Sequence, residues 1–401
     1  MNDSRPDTFI VVGFLILVQG TGAVAGFWLP AIAPEVADNV GLNASLIAYP
    51  VLLLYIFAMI SSLFAGGFVN RFGAWRTSQL ALLLIGISHL MFMGGSLFLI
   101  ALGSVVLGWA YGMITPPASH LLSKVVTKKN RNLIFSIRFT GVPIGGVLAG
   151  ILAPQVALEF GWQQSMLFSV IVAAGLCLAM QPFRCKWDSD RSSDTALLRN
   201  PLTDLQLVWR LTSLRWVALY GMCMGAIQTT LTTFTVTMLV EDIGYSLVLA
   251  GLGLSVIQFS SIFGRVAWGW VADKINNGLL TLMIIALIAM ICAVITITLS
   301  PQWPHLLVYT LCFVFGIAGM GWNGVYASEI VRLSPKNDVS KTTGASFFIT
   351  FSGVFVGPLL FSTGYSIVGA YNISFFLTII IALSATFFIL KSQAAASGAP
   401  E

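Results

Sequence analysis

The sequence predicts an all-α integral membrane protein with twelve transmembrane helices, built as two six-helix pseudo-repeats. Two observations carry the prediction: apolar stretches of spanning length, and a one-sided distribution of basic residues in the loops between them. Composition agrees, because 57% of the residues are hydrophobic and 9% are charged, whereas soluble domains have about 25% charged residues.

Each apolar stretch approaches the ~20 residues that a helix needs to cross the hydrocarbon core of a bilayer. We number the stretches spans 1 to 12 in chain order. With loose ends, they lie at 8–33, 45–69, 76–97, 99–120, 132–156, 162–182, 213–240, 245–271, 278–299, 303–330, 342–366 and 371–391.

The connections between spans alternate in charge. One alternate set contains no lysine or arginine and holds the acidic residues Glu35, Asp38, Glu159, Glu241 and Asp242. The other set holds the basic residues Arg71, Arg76, Lys124, Lys128, Lys129, Arg131, Arg184, Lys186, Arg191, Arg199, Arg210, Arg215, Lys274, Arg332, Lys336 and Lys341. The positive-inside rule therefore places the basic connections and both termini in the cytoplasm, in a multi-pass protein of the plasma (inner) cell membrane.

Several function classes are disfavoured. The net charge of +5 is spread over short loops, so it does not indicate a nucleic-acid partner. The five cysteines show no CxxC or Cys/His spacing, which argues against a metal site or a disulfide framework. There is no Walker loop, no HExxH and no Ser/His/Asp set. We therefore expect a protein of the lipid bilayer that is not an enzyme and that uses no cofactor or metal.

A polar stretch near the middle divides the chain. It predicts an N-terminal six-helix bundle at 1–183, a cytoplasmic linker at 184–212 and a C-terminal six-helix bundle at 213–401. Within the linker, Leu202–Leu211 is predicted to form a short amphipathic helix at the membrane interface.

The two halves look like copies of one another. Short matches recur in the same order: Gln19-Gly20-Thr21 with Gln228-Thr229-Thr230, Asn70-Arg71 with Asp273-Lys274, Ala118-Ser119-His120 with Ala327-Ser328-Glu329, and the Gly141–Gly145 stretch with Gly353–Gly357. Parallel six-span repeats occur in one class of secondary transporter, which binds its substrate near the bilayer midplane.

On these features the chain resembles the major facilitator superfamily over essentially its whole length. The loop between spans 2 and 3 carries Gly66, Asn70, Arg71, Phe72, Gly73 and Arg76, and its second-half copy carries Gly269, Asp273 and Lys274. The resemblance implies that the protein acts as a monomer and that the glycines allow close helix packing. It also implies that Asn70, Arg71, Arg76, Asp273 and Lys274 latch the cytoplasmic side. Asn70 stands where the family has an acid, so the first latch is expected to be the weaker one.

Arg265 in span 8 is the charge that the scaffold explains least. It lies eight residues before Asp273, which places it about 12 Å along the helix from the basic loop. The matching position in span 2 is Ser62, so the fold does not require an arginine here. A charge inside a bilayer is costly, which indicates a substrate or gating role, with a structural ion pair as the alternative.

The stretch Arg265–Asp273 resembles span 8 of monocarboxylate transporters, and more broadly bacterial organic-anion porters. That resemblance implies that Arg265 binds a substrate carboxylate. The acidic-Gly motif that those transporters carry in span 1 is absent here, where the chain reads Gln19-Gly20-Thr21-Gly22. The family's usual span-4 arginine is also absent from 107–112.

The other candidate substrate-binding residues are polar or aromatic side chains at depth in spans 1, 5, 7, 8 and 10: Gln19, Arg138, Gln228, Gln258, Trp322, Asn323 and Tyr326. The amides and Tyr326 either line a water-filled cavity or hydrogen-bond between helices, and Arg138 either binds substrate or reaches down to the cytoplasm. Glu329 is expected to pair with Arg332 at the end of span 10, and His89 to make a hydrogen bond within the bundle.

These features predict a secondary active transporter that works by alternating access. Its substrate is expected to be a small organic anion, a carboxylate, moved by an ion gradient in which H⁺ is the candidate ion. No carboxylate lies deep in a span to carry that proton, so a protonated substrate is one solution. The alternatives are an exporter of drugs or metabolites of the same superfamily, and a non-transporting membrane receptor.

Overall fold

The computed structural model describes residues 4–40, 48–192, 200 and 202–397, and these contain helices and no strand. Twelve described helices are long and apolar enough to cross a membrane. They are Thr8–Ala31, Tyr49–Phe72, Ala74–Met93, Leu97–Val125, Arg131–Phe160, Trp162–Trp187, Thr212–Glu241, Leu247–Ile275, Gly278–Ile297, His305–Leu333, Val339–Val368 and Tyr371–Ala396.

The predicted spans are confirmed in number and order. Most observed helices continue past the apolar stretch at their basic end, meaning the end joined to the lysine- and arginine-bearing connections; the predicted start of span 2 lies outside the described residues. Two further helices lie between spans: Ala33–Val40 follows span 1, and Leu202–Arg210 forms the predicted linker helix.

Proline interrupts spans 4 and 5. Span 4 consists of Leu97–Gly112 and Thr115–Val125, because the prolines at positions 116 and 117 have no N–H to donate to the preceding turn. Span 5 consists of Arg131–Phe139 and Gly141–Phe160, where Pro143 lacks the N–H that would reach the carbonyl of residue 139.

Span 10 is interrupted between His305–Gly319 and Asn323–Leu333, at a glycine-rich stretch without proline. Spans 6 and 12 are also composite: Trp162–Ser165, Leu167–Met180, the 3-10 turn Gln181–Phe183 and Arg184–Trp187 form span 6, and Tyr371–Ser374 and Phe376–Ser397 form span 12.

The residues group into two compact units by contact. The first unit comprises 1–126, 138–206 and 334–348. In it, spans 2 and 4 cross closely, because a side chain at Gly108 would overlap the Leu54 carbonyl. At the basic end, Gly66 of span 2 packs against Lys341, which opens span 11.

The second unit comprises 127–137, 207–333 and 349–401. Spans 8 and 10 cross in the same manner, since a side chain at Gly316 would overlap the Ile257 backbone. At the basic end, Gly269 of span 8 packs against Ser136, near the start of span 5. The predicted bundle boundaries at 183 and 213 stay a prediction.

Each of these contacts in one unit has a counterpart in the other. Leu54 and Ile257 are separated by 203 positions, as are Gly66 and Gly269. The internal repeat inferred from short sequence matches therefore recurs as repeated helix packing.

The glycine crossing of spans 8 and 10 gives a direct test of this packing. A Cβ at Gly264 would lie 2.6 Å from the Ile317 carbonyl oxygen, whereas a Cβ at Gly251 on the same helix meets nothing within 4 Å. We expect Gly264→Ala to lower the free energy of unfolding by about 1–3 kcal/mol and Gly251→Ala to leave it nearly unchanged. Thermal unfolding of the purified variants in detergent measures both, and equal melting temperatures would contradict the close crossing.

Candidate functional site

Arg265 lies where spans 8 and 10 cross. Its side chain is 1% exposed, which makes it one of the largest fully buried side chains in the described protein. The preceding residue, Gly264, packs its backbone against Ile317, and a Cβ at Gly321 would lie 3.0 Å from the Gly264 carbonyl carbon. Arg265 and Trp322 therefore follow, by one residue each, two glycines that meet at the crossing.

The interruption of span 10 leaves a carbonyl that span 8 satisfies. The first segment of span 10 ends at Gly319, so no backbone N–H of that helix is in place to donate to the Ile317 carbonyl oxygen. Trp268 donates its indole Nε1–H to that oxygen at 3.0 Å. Trp268 was not singled out from the sequence, although its spacing of three residues from Arg265 on one helix was visible.

An aromatic cluster, formed by Tyr220, Trp322 and Tyr326, joins spans 7 and 10. The Trp322 and Tyr326 ring centroids are 5.1 Å apart, and the Tyr220 and Trp322 centroids 6.3 Å apart. Tyr326 shares a 2.7 Å hydrogen bond with the Thr350 hydroxyl of span 11, and Tyr220 donates to the Leu282 carbonyl at 3.0 Å. The sequence predictions included Trp322 and Tyr326 but missed Tyr220 and Thr350.

The Trp322 indole presents an unused donor within this cluster. Its side chain is 2% exposed, and its Nε1–H has no hydrogen-bond partner among the described residues. Buried donors are nearly always paired in native proteins. The unmet donor therefore points to a ligand or water that would accept from it.

The amides of span 7 and span 10 bond to each other. Asn323 donates from Nδ2 to Oε1 of Gln228 at 3.1 Å, so this pair makes an interhelical hydrogen bond beside Trp322. Gln258, two turns before Arg265 in span 8, is half-buried. The structure thus brings Gln228, Trp322 and Asn323 together.

The first unit holds the other two predicted binding residues, Gln19 and Arg138. Gln19 is 3% exposed, and its Oε1 has no hydrogen-bond partner in the described part of the chain. Arg138 is 1% exposed, so its side chain does not reach down to water. It donates to the Ile114 carbonyl at 3.4 Å and to the Thr115 hydroxyl at 3.5 Å, at the interruption of span 4.

Asp273, a predicted latch residue, caps the first turn of span 5. One carboxylate oxygen accepts from the Asn132 backbone N–H at 3.0 Å and from Asn132 Nδ2 at 2.8 Å, and the other accepts from the Leu133 N–H at 2.8 Å. A carboxylate is favourable at this place because a helix N-terminus has unpaired N–H groups and a positive dipole end.

The remaining predicted latch residues have separate surroundings. Lys274 lies over the Trp270 ring at 4.7 Å, and Arg71 lies near the Phe72 ring at 6.0 Å. The Asn70 carbonyl accepts from the Ser192 N–H at 2.8 Å.

Two sequence predictions are confirmed, one about the ion pair of Glu329 and one about the hydrogen bond of His89. Glu329 pairs with Arg332 at 2.7 Å, and it also lies 3.5 Å from Arg131. His89 is fully buried and bonds through Nδ1 to the Ile85 carbonyl.

The start of the linker is anchored on the basic end of span 3. Asp188 accepts from the Trp75 N–H at 2.8 Å and the Arg76 N–H at 3.1 Å. Burial raises the pKa of the Asp188 carboxyl, and these two N–H groups and the nearby charge of Arg184 offset only part of the effect.

Asp190 anchors the linker at a second place, because it contacts two residues of span 4. It contacts Lys124 at 2.7 Å and His120 at 2.8 Å. Burial opposes its charge, but the hydrogen bonds from Lys124 and His120 hold the pKa of Asp190 below its ordinary value.

Known proteins similar to this chain include transport proteins and membrane sensor proteins. The chain is 24% identical to a probable hexose phosphate transport protein of Chlamydia pneumoniae over 76% of this chain and 75% of that protein. It is 23% identical to the membrane sensor protein UhpC of Escherichia coli, over 78% and 76% of the two chains. It is 23% identical to a gentisate transporter of Corynebacterium glutamicum, over 81% and 67%.

Solved structures share the fold at low sequence identity. The E. coli fucose:proton symporter FucP aligns with a TM-score of 0.77 and 15% identity over 97% of this chain and 99% of that one. The human organic anion transporter MFSD10 aligns with a TM-score of 0.79 and 16% identity, over 96% and 100%.

The family itself follows from a match along most of the chain. The sequence model of the Major Facilitator Superfamily matches residues 13–358, which reach from within the first spanning helix to within the eleventh. Together with the twelve apolar helices and the repeated packing, this match means that the chain belongs to the Major Facilitator Superfamily and is a multi-pass secondary transporter of the plasma membrane, not an enzyme.

Proposed function

We propose that this transporter moves a small organic anion and that Arg265 holds the anionic group. The observation that carries the proposal is the burial of the Arg265 side chain at the glycine crossing of spans 8 and 10. A guanidinium stays charged at any physiological pH and binds a carboxylate or phosphate through two parallel hydrogen bonds. The compounds named for the hexose phosphate and gentisate proteins are both anions, which supports the same substrate class here.

The surroundings of Trp322 suit an anion with an unsaturated or hydroxylated body. The unpaired indole N–H can donate to a substrate oxygen, while the rings of Tyr220 and Tyr326 offer flat apolar surface. Asn323 donates to Gln228 and to the Met320 carbonyl, and its Oδ1 remains available as an acceptor. A small carboxylate with a ring fits this chemistry better than a cation, because no carboxylate is among these residues.

Gln19 and Arg138 have different proposed roles. The unpaired Oε1 of Gln19 is a candidate acceptor for a substrate hydroxyl. Arg138 supports the opened turn of span 4 by donating to Ile114 and Thr115. We therefore assign Arg138 to positioning span 4, with direct substrate contact as its second candidate role.

Proton coupling is proposed to run through the substrate. The two acidic side chains that lie in the spans near their basic ends are both engaged: Asp273 caps span 5, and Glu329 pairs with Arg332. Neither is placed to load and unload a proton at mid-depth. A substrate that enters as its neutral acid would carry the proton itself.

We also propose that Asp273 is the working latch. Its three hydrogen bonds fix the first turn of span 5 on span 8. Alternating access moves the helices of one repeat against the other, so a charge-assisted cap of this kind sets the cost of releasing that turn.

The first test removes the guanidinium. We expect Arg265→Gln to weaken binding of gentisate or a hexose phosphate at least about tenfold, because a hydrogen bond to a charged group contributes roughly 1.5–3 kcal/mol. Arg265→Lys should retain part of the affinity through its charge. Arg210→Gln, in the exposed linker helix, is the matched control. Ligand-induced thermal stabilisation measures binding, and uptake into proteoliposomes measures transport.

Each other outcome of this test has a clear meaning. Stabilisation by neutral or cationic compounds, unchanged in Arg265→Gln, would contradict the anion proposal and favour the exporter. Anion binding without uptake would favour a sensor, the role named for the UhpC relative.

The second test concerns coupling. If the substrate carries the proton, uptake should accelerate when the outside is made more acidic than the lumen, and it should be electroneutral. A pH step across proteoliposomes, with a membrane-potential dye as a second readout, measures both. Uptake that ignores the pH step but follows a sodium gradient would refute proton coupling.

The third test concerns the latch. Asp273→Asn removes the charge and one of the acceptor oxygens, so the amides of Asn132 and Leu133 should exchange hydrogen about tenfold faster or more. Hydrogen exchange read by mass spectrometry over 131–137 measures this directly. Arg210→Gln, at an exposed position of the linker helix and outside the predicted latch, is the control, and equal protection in Asp273→Asn and the native protein would exclude a latch.

A further inference from the structure

A cavity of about 460 Å³ lies at the basic end of the first unit, between spans 3 and 6. Three arginines line it: Arg76 from the first turn of span 3, Arg184 from the last turn of span 6, and Arg191 from the linker. This cavity is not part of the proposed substrate site, and the inference drawn from it does not depend on the proposed function.

The cavity is strongly cationic. Its lining includes three guanidiniums and no carboxylate among the described residues. Asp188 lies near Arg184, but its oxygens are occupied by the Trp75 and Arg76 N–H groups. Three cations beside a single nearby acid, Asp188, leave an excess of positive charge, and the cations repel one another. An anion in the cavity would relieve that repulsion.

A buried amide at the cavity wall has an unused acceptor. Gln79 is 3% exposed, and its Nε2 donates to the Cys177 carbonyl at 2.9 Å and to Oε1 of Gln181 at 3.0 Å. These two bonds fix which end of the amide carries the nitrogen. Its Oε1 has no partner among the described residues, so the wall offers an acceptor to a hydroxyl donor beside the arginines.

The cavity also reaches the apolar outer surface of the bundle. Leu83, one of its lining residues, is 51% exposed. One and two turns further along span 3, Ile87 and Leu90 are exposed at 45% and 50%. This stripe faces outward from the unit, where a membrane protein meets lipid tails, and it starts at the cationic cavity.

We propose that the cavity binds the headgroup of an anionic phospholipid, with phosphatidylglycerol as the best match. The phosphodiester would lie among Arg76, Arg184 and Arg191, and a glycerol hydroxyl would donate to Oε1 of Gln79. One acyl chain would run along the Leu83–Leu90 stripe. Basic pockets between transmembrane helices on the positive side of a membrane are suited to such headgroups, and the lipid would tie the linker to spans 3 and 6.

The test uses the full-length protein in mixed micelles, with dioleoyl-phosphatidylglycerol or dioleoyl-phosphatidylcholine as the probe. Native mass spectrometry counts bound lipid, and thermal unfolding measures stabilisation. The central variant is Arg76→Gln/Arg184→Gln/Arg191→Gln. The control Lys128→Gln/Lys129→Gln/Lys336→Gln removes three exposed charges elsewhere, and Arg76→Lys/Arg184→Lys/Arg191→Lys keeps the charge.

We expect phosphatidylglycerol to bind the native protein and the control Lys128→Gln/Lys129→Gln/Lys336→Gln with similar affinity. The triple glutamine variant should bind on the order of a hundredfold more weakly, since each arginine near a membrane surface contributes on the order of 1 kcal/mol. The variant Arg76→Lys/Arg184→Lys/Arg191→Lys, which keeps the positive charges, should keep most of the affinity for phosphatidylglycerol. Gln79→Leu should reduce the preference for phosphatidylglycerol over phosphatidic acid, which lacks the headgroup hydroxyls.

Three results would overturn the proposal. Equal loss of binding in both triple glutamine variants would show a general charge effect. Equal stabilisation by soluble glycerol phosphate would assign the cavity to a soluble anion. Preserved phosphatidylglycerol binding in the triple glutamine variant would place the lipid elsewhere. If that variant fails to fold, Leu83→Glu provides the same comparison, because it adds an acid at the mouth of the cavity and leaves all three arginines in place.

Discussion

The structure depends on one constraint: a backbone carbonyl or N–H released inside a bilayer must find a partner within the protein. Spans 4 and 10 are each interrupted, and the break in span 10 leaves the Ile317 carbonyl without a backbone donor in its own helix. Arg138 donates to Ile114 at the first interruption, and Trp268 donates to Ile317 at the second. The interrupted turns are therefore held open by specific side chains.

The same constraint explains what the sequence could predict. The spans and their order follow from the length of the apolar stretches, and the internal repeat follows from short sequence matches. Spans can be predicted in this way because a single helix pairs all its backbone N–H and C=O groups within one segment. The partner of Glu329 was also predictable, since Arg332 lies one turn away. Contacts between spans that are distant in sequence could not be predicted. Nothing local ties Tyr326 to Thr350 or Trp268 to Ile317, and the cationic cavity exists because Asp188 brings the linker back to span 3.

The contact between Asp273 and the start of span 5 shows how the two halves can keep one fold and differ in chemistry. In the second unit, Asp273 supplies a carboxylate from span 8 to the start of span 5. In the first unit, Asn70 occupies the repeat-related position, and the acid nearest the start of span 11 is Asp338, paired with Lys341 in the same turn. The close backbone approach is kept in both by Gly66 and Gly269. Packing is thus shared between the repeats, whereas the electrostatic contribution comes mainly from one of them.

The same comparison between the repeats bears on the role of Arg265. Its counterpart Ser62 is fully buried and donates to the Met59 carbonyl one turn earlier, so its polar group is satisfied within its own helix. An arginine at this position cannot be satisfied so locally, because its five donors extend several ångströms from the helix axis. Because serine occupies this position in one repeat, the fold itself does not require a guanidinium at the matching position of the other. The departure from the repeat, more than the repeat itself, therefore supports the proposal that Arg265 holds the anionic group of the substrate.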